Sequence, residues 1–313
     1  MAAPPSSASA GDVAPLTAQI ADYACAMADR RLGARSLEIV RLGFTDAGAV
    51  LLAGLDEPVT RVIQRLVRHD PGTPAGSRML LSRERVGAAQ AALVNAVAAH
   101  AVDWDDYAYS NHPSAVLVPT LLAAGDAVGA GGARLAAAYV AGYEVWGNLM
   151  RREADHLHSK GWHPTAVLGP VAAAVAAGMI YRLTASEMRD AIALSASLAG
   201  GVMANFGTMA KPVHAGRAAH AGIQAATWAQ GGLQAGNTTL ESPLGLMRAL
   251  SPAGRVDLKT PFPSVDDPPL IDRLALNIKK YPTVGASQRV IDSILFYLAR
   301  HPVDAHQVVR AIP

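Results

Sequence analysis

Three short segments carry side chains whose types and spacing could do chemistry. The first runs Asn95-Ala-Val-Ala-Ala-His100-Ala-Val-Asp103-Trp-Asp105-Asp106-Tyr107 and continues as Asn111-His112-Pro113-Ser114. Three carboxylates within four residues repel one another unless positive groups face them. A helix end that gathers Asp103, Asp105, Asp106 and His112 could hold a general base beside a general acid. The competing reading is a solvated acidic helix terminus. The second segment is His156-Leu-His158-Ser-Lys160-Gly161-Trp162-His163-Pro164-Thr165. Pro164 suits the first turn of a helix, and the free amides of a helix start suit a carboxylate ligand. Three histidines within eight residues also raise a metal site, but no carboxylate–histidine ligand set accompanies them, so no metal is expected. His156 and His158 read as surface residues. The third segment, Gly207-Thr-Met-Ala-Lys211-Pro212-Val-His214-Ala-Gly216-Arg217, is a cation-rich turn entering an alanine helix. Lys211 follows a long uncharged run. Its ammonium is expected to face a cavity or an ion pair, where it could bind a substrate carboxylate, or else to be an ordinary helix-start lysine.

These segments must be positioned by helices. Of 313 residues, 51% are hydrophobic, 17% charged and 5% aromatic, a composition that can bury a large core of close-packed, alanine-rich helices. Apolar spacing predicts helices over Arg83–Trp104, Arg134–Leu149, Pro164–Tyr181 and Ala215–Gln230, the last ended by Gly231-Gly232. Thr184 and Glu187 form a capping box at the start of another. The uncharged run between Asp190 and Lys211 reads as a buried helix and a glycine-rich turn, and no membrane span is expected. Residues 1–16 read as a disordered tail, with no basic and apolar pattern of a signal peptide. Prolines crowd the chain after Ser251. A helix over Ser287–Arg300 carries Val290, Ile291, Ile294, Leu295 and Leu298 on one face, and residues 308–313 read as the start of a strand.

Several function classes drop out. A net charge of +2 gives no basic field for nucleic acid. One cysteine, Cys25, allows neither an internal disulfide nor a cysteine zinc site, and suits a cytoplasmic location. There is no phosphate loop and no Gly-x-Ser-x-Gly elbow; Gly129-Ala-Gly131-Gly132 reads as a loop between helices.

Taken together, the segments resemble the MmgE/PrpD family. Asn95 to Pro113 resembles its Asn-x-x-x-x-His, Asp-aromatic-Asp-Asp and His-Pro-Ser pattern. Gly161-Trp-His-Pro-Thr165 and Gly207 to Arg217 resemble its Gly-x-His-Pro-Thr and Lys-Pro-x-His-x-Gly motifs; Gly142-Tyr143-Glu144-Val145 and Lys280-Tyr281-Pro282 follow in the same order. The resemblance implies a mainly α fold: an all-helical domain over residues 17–262, then over residues 263–313 the linker and start of an incomplete α+β lid. It implies a homodimer and cofactor-independent chemistry on a small polycarboxylate, as in 2-methylcitrate dehydratase, cis-aconitate decarboxylase or iminodisuccinate epimerase. The expected reaction is that of a 2-methylcitrate dehydratase-like hydro-lyase; decarboxylation, epimerisation or an inactive helical fragment are the alternatives. The implied catalytic residues are Asp103, His112, His163 and Lys211, with Tyr107, His214, Lys280 and Gln288 around the substrate. The chain departs from the pattern in three ways. Tyr107 stands where the decarboxylase branch usually has threonine. Asp103 and His112 are one residue closer together. Val284 and Gln288 stand where the family often has Cys and His.

Overall fold

A computed structural model describes residues 14–70, 76–80, 82–301, 303–304 and 306. The expected tail lies mostly outside these residues, and the expected strand at 308–313 lies wholly outside them. The described chain is mainly α: α1 (Leu16–Met27), α2 (Ala34–Ala53), α3 (Pro58–His69), β1 (Ser77–Arg78), β2 (Arg85–Val86), α4 (Ala88–His100), α5 (Pro113–Val128), α6 (Gly132–Arg152), α7 (Pro164–Tyr181), α8 (Ala185–Ser197), α9 (Ala210–Gln230), α10 (Leu246–Ala249), α11 (Leu270–Leu274) and α12 (Gln288–Leu298). β1 and β2 form one antiparallel pair, Ser77 opposite Val86.

Helix α7 is the centre of the molecule. Every residue from Pro164 to Ile180 is buried, because α9, α6, α5 and α8 pack around it. It is long and apolar enough to cross a membrane, yet 94% of it is buried inside the fold, as an all-round apolar core helix should be. Small residues let these helices approach closely. α4 packs on α9 and α5, so the ends of α4, α7 and α9 and the start of α5 come together.

Most sequence expectations hold at the level of elements. The capping box at Thr184 is formed in both directions, with Glu187. Gly129 ends α5 at φ 65°, in the left-handed region glycine tolerates, so the Gly129–Gly132 stretch is a loop. Two expectations are corrected, and a third is met without burial. The helix expected over Arg83–Trp104 starts only at Ala88, because Arg85–Val86 pairs as a strand and Gly87 turns the chain. It stops at His100, before the carboxylates. Leu16, placed in the tail by sequence, is a buried first residue of α1, whose opening amide at Thr17 is held by Glu241 at 3.2 Å. Helix α12 has its expected apolar residues, but not one of them is buried.

Candidate active site

The site is assembled at helix ends. α4 finishes at His100, and the chain reverses through Asp103, whose φ of 50° lies in the left-handed region that non-glycine residues rarely adopt. This reversal turns the Asp103 carboxylate back toward α9. There it is ion-paired to the Lys211 ammonium through Oδ2. A second ammonium, Lys279 Nζ, lies 2.7 Å from Asp103 Oδ1 and donates to the Asp103 carbonyl at 2.7 Å. The Lys279 side chain is fully buried. Burial alone would raise the Asp103 pKa, but the imidazoles of His100 and His112 and the two lysines outweigh it and hold it at about 2.

Asp105 is wholly buried beside this pair. One oxygen lies 2.8 Å from His100 Nδ1 in a hydrogen bond. The other lies 2.8 Å from His112 Nδ1, but the approach is poorly directed, and neither atom gains a well-aimed hydrogen bond. The His100 and His112 rings are 4.4 Å apart. His100 Nε2 is buried with no partner. Burial pushes the His100 pKa down to about 4, against the pull of Asp105.

His163 is the N-cap of α7, fixed there by a bond from its amide to the Gly201 carbonyl at 3.0 Å. Its ring meets Phe206 at 4.9 Å, and its Nδ1 lies 3.0 Å from His214 Nδ1. One of these two nitrogens donates and the other accepts. Burial and the neighbouring cationic groups drive the His163 pKa far down, so the ring is neutral. Thr165, next in the first turn of α7, has a buried hydroxyl without a partner. Lys211 Nζ also sits 5.4 Å over the Phe206 ring. A cleft of 380 Å³ opens against His100, Asp103 and Lys211, between the α2–α3 connection and the turn into α9.

The structure therefore brings Asp103, His112, His163, Lys211 and His214 together. Lys211 is buried and ion-paired, so it is not an ordinary helix-start lysine. Tyr107 does not line the cleft: its main chain pairs with Asn277 and its ring packs on Gly285. Lys280 is not brought in; it is 68% exposed and paired with Asp292 at 2.8 Å. Gln288 is not brought in either. Its side chain accepts from the amides of Lys280 and Tyr281 at 3.0 Å and closes the turn before α12. His156 is exposed, as expected, but His158 is half-buried with its ring 6.4 Å from Phe206. The sequence did not single out Lys279 or His100 as site residues, and it left Asp105 as one of three clustered acids without a separate role. The adjacent Lys279-Lys280 pair was the available signal, since neighbours on an extended segment face opposite ways. Asp106 does other work: it accepts from the Ser114 amide and hydroxyl at the start of α5, and burial keeps its pKa high.

Among the described residues, His100, His112 and His163 each offer a nitrogen within 4.8 Å of the others, which is a possible ligand set. The Lys211 ammonium beside them disfavours a cation and favours an anion.

The shifted groups predict a particular pH profile of stability. His100 and His220, each at about 4 in the fold against an ordinary 6.5, and His163, also lowered, are neutral when folded. Their contribution is complete above pH 6.5 and is lost as pH falls toward 4. Burial raises Glu144 to about 7 and Asp46 to about 6, and raises Asp106 as well; their contribution is complete below the ordinary carboxylate range and is lost as pH rises through those values. The two sets oppose each other between pH 7 and 5, at about 1.4 kcal/mol per pH unit for each proton. Below that window the lowered carboxylates Asp103 and Asp105 lose their contribution as pH falls. Urea unfolding across pH should give nearly constant stability from pH 7 to 5 and a steep loss below 4. A steady slope through the neutral range would contradict the assignment.

The sequence profile of the MmgE/PrpD N-terminal domain matches residues 18–259. A cis-aconitate decarboxylase of Homo sapiens is 38% identical over 162 residues, covering 50% of this chain and 34% of that protein. One of Mus musculus is 34% identical over 211 residues, covering 65% of this chain and 42% of the relative. One of Aspergillus terreus is 28% identical over 240 residues, 74% of this chain and 49% of the relative. The chain thus spans at most about half the length of these curated relatives.

Proposed function

The chain belongs to the MmgE/PrpD family, and from that premise we propose that its site is that of a lyase acting on a small polycarboxylate without a cofactor, with decarboxylation as the reaction. The observation that carries this reading is the Lys211–Asp103–Lys279 cluster beside the His100–Asp105–His112 group. Two buried ammonium groups held by a single carboxylate leave room for competition. A substrate with several carboxylates can displace Asp103 from one of them and gain charge-assisted bonds in a desolvated site. When the C–C bond to the departing carboxylate breaks, carbon dioxide leaves and the electron pair stays on the substrate. The lysines stabilise that charge, and an imidazolium, His112 in this proposal, gives a proton to carbon.

The relatives named above are decarboxylases by name, which favours this reaction over the hydro-lyase expected from the motifs. The two readings share the site but not the products. The test is to incubate the protein in deuterium oxide with cis-aconitate, 2-methylcitrate and succinate-type acids, following carbon dioxide release and the NMR spectrum. Carbon dioxide with one deuterium entering the product is expected. Alkene formation from a hydroxy acid without carbon dioxide would move the reading to a hydro-lyase. Turnover no faster than that of an Asp103→Asn/His163→Ala double variant would leave an inactive helical unit.

A further inference from the structure

Asp105 is unlike the other buried acids of the site, because no lysine touches it and both of its oxygens face imidazoles. His100 on α4 and His112 ahead of α5 approach it at 2.8 Å each, both through Nδ1. An ionised carboxylate has no proton to give and can only accept. At His100, where the contact is a hydrogen bond, Nδ1 must therefore carry the hydrogen. At His112 the contact is poorly directed, but a bare Nδ1 lone pair held 2.8 Å from a carboxylate oxygen would be repelled, so the hydrogen belongs on Nδ1 there too. In a neutral histidine that leaves Nε2 with its lone pair and no hydrogen. The His100 Nε2 is buried and has no partner in the fold, and His100 lines the cleft beside Asp103 and Lys211.

We propose that Asp105 is a positioning residue that fixes His100 and His112 in the same Nδ1–H tautomer, so that both present Nε2 to one substrate. The consequence is a matched pair. Either ring can take a proton on Nε2, become an imidazolium stabilised by the shared carboxylate, and return it to carbon, without either ring turning. In the decarboxylation proposed above, the proton enters the resting ring at Nε2 from solvent. It leaves to the carbon that keeps the electron pair of the broken C–C bond, and the ring is neutral again with its Nδ1–H still on Asp105. The surrounding charges leave the arrangement in place. Asp106 is committed to Ser114 and Asp46 to the Asp106 amide at 2.8 Å, while Lys211 and Lys279 are taken by Asp103. No other group competes for the Asp105 oxygens among the described residues.

The rate effect rests on the lyase reading; the tautomers belong to the resting protein and can be read without substrate. In nitrogen-15 NMR of the wild-type protein at about pH 8, where an ordinary imidazole is neutral, His100 and His112 should both show Nδ1–H and a bare Nε2. Asp105→Asn keeps the shape but adds an NH2 donor. One of the two rings should then accept at Nδ1 and switch to Nε2–H. With any acid the wild type turns over, kcat should fall by on the order of 100-fold or more and the pH profile of kcat should shift, while KM changes by less than about threefold. A wild-type spectrum with either ring as Nε2–H overturns the proposal, whether or not the variant folds. So does an Asp105→Asn protein with unchanged tautomers and an unchanged pH profile. If no acid is turned over, the lyase reading fails by itself and the spectrum still decides the role of Asp105.

Discussion

Lys211→Met and Lys279→Met should each lower kcat/KM for a polycarboxylate by about two to three orders of magnitude, while Lys280→Met stays within about twofold of wild type. The physical case is the difference in surroundings. Lys211 and Lys279 are both buried against one carboxylate, Asp103. A charge-assisted bond in such a desolvated place contributes about 2.7–4 kcal/mol to binding a developing negative charge, which is the stated range of rates. Removing either lysine also leaves Asp103 with half of its compensation, so its carboxylate repels the incoming substrate more strongly. Lys280 is mostly exposed and paired with Asp292 at the surface, where such a pair is worth little. The measurement is steady-state kinetics of the three variants on whichever acid the wild type turns over. Equal damage from Lys280→Met and Lys279→Met would overturn the placement of the second cation.

Gly222→Val should destabilise the protein by about 3 kcal/mol or more, at the upper end of overpacking costs, and so lower Tm by roughly 5 °C. Gly222 lies on α9 where that helix crosses α7. A Cβ added there would stand 2.3 Å from the Ala173 Cβ and 2.6 Å from its carbonyl carbon. The obstruction is backbone, which cannot swing aside as a side-chain tip can. The two central helices would have to separate, and the ends that carry His163 and Lys211 would move with them. Gly48 is the control. It sits in α2 with nothing within 4 Å of an added Cβ, so Gly48→Ala should stabilise by about 0.5–1 kcal/mol through helix propensity alone. Thermal and urea unfolding of the two variants reads both effects. A Gly222→Val protein as stable as wild type would mean that the α7–α9 crossing is looser than these distances require.

The sequence by itself determined the helices and most of the polar residues of the site. Helical periodicity, Pro164 at the start of α7 and the glycines after α9 are local signals, and local energetics set where those helices run. Asp103, His112, His163, Lys211 and His214 were legible because each stands in a short motif at a helix end. What lay beyond the sequence was set by partners far along the chain. Lys279 and Lys280 are neighbours of identical type, and which of them turns inward depends on the pairing of Asn277 with Tyr107 and on the carboxylate of a residue 176 positions away. Tyr107, Lys280 and Gln288 are placed by that same irregular stretch, where no period fixes the register. Asp105 looked like one of three equivalent acids. Tertiary structure alone separated them, giving Asp103 to two lysines, Asp105 to two histidines and Asp106 to the start of α5. The reason is electrostatic: a buried carboxylate is tolerable only beside a compensating group, and which group each one meets is decided by how the helix ends converge.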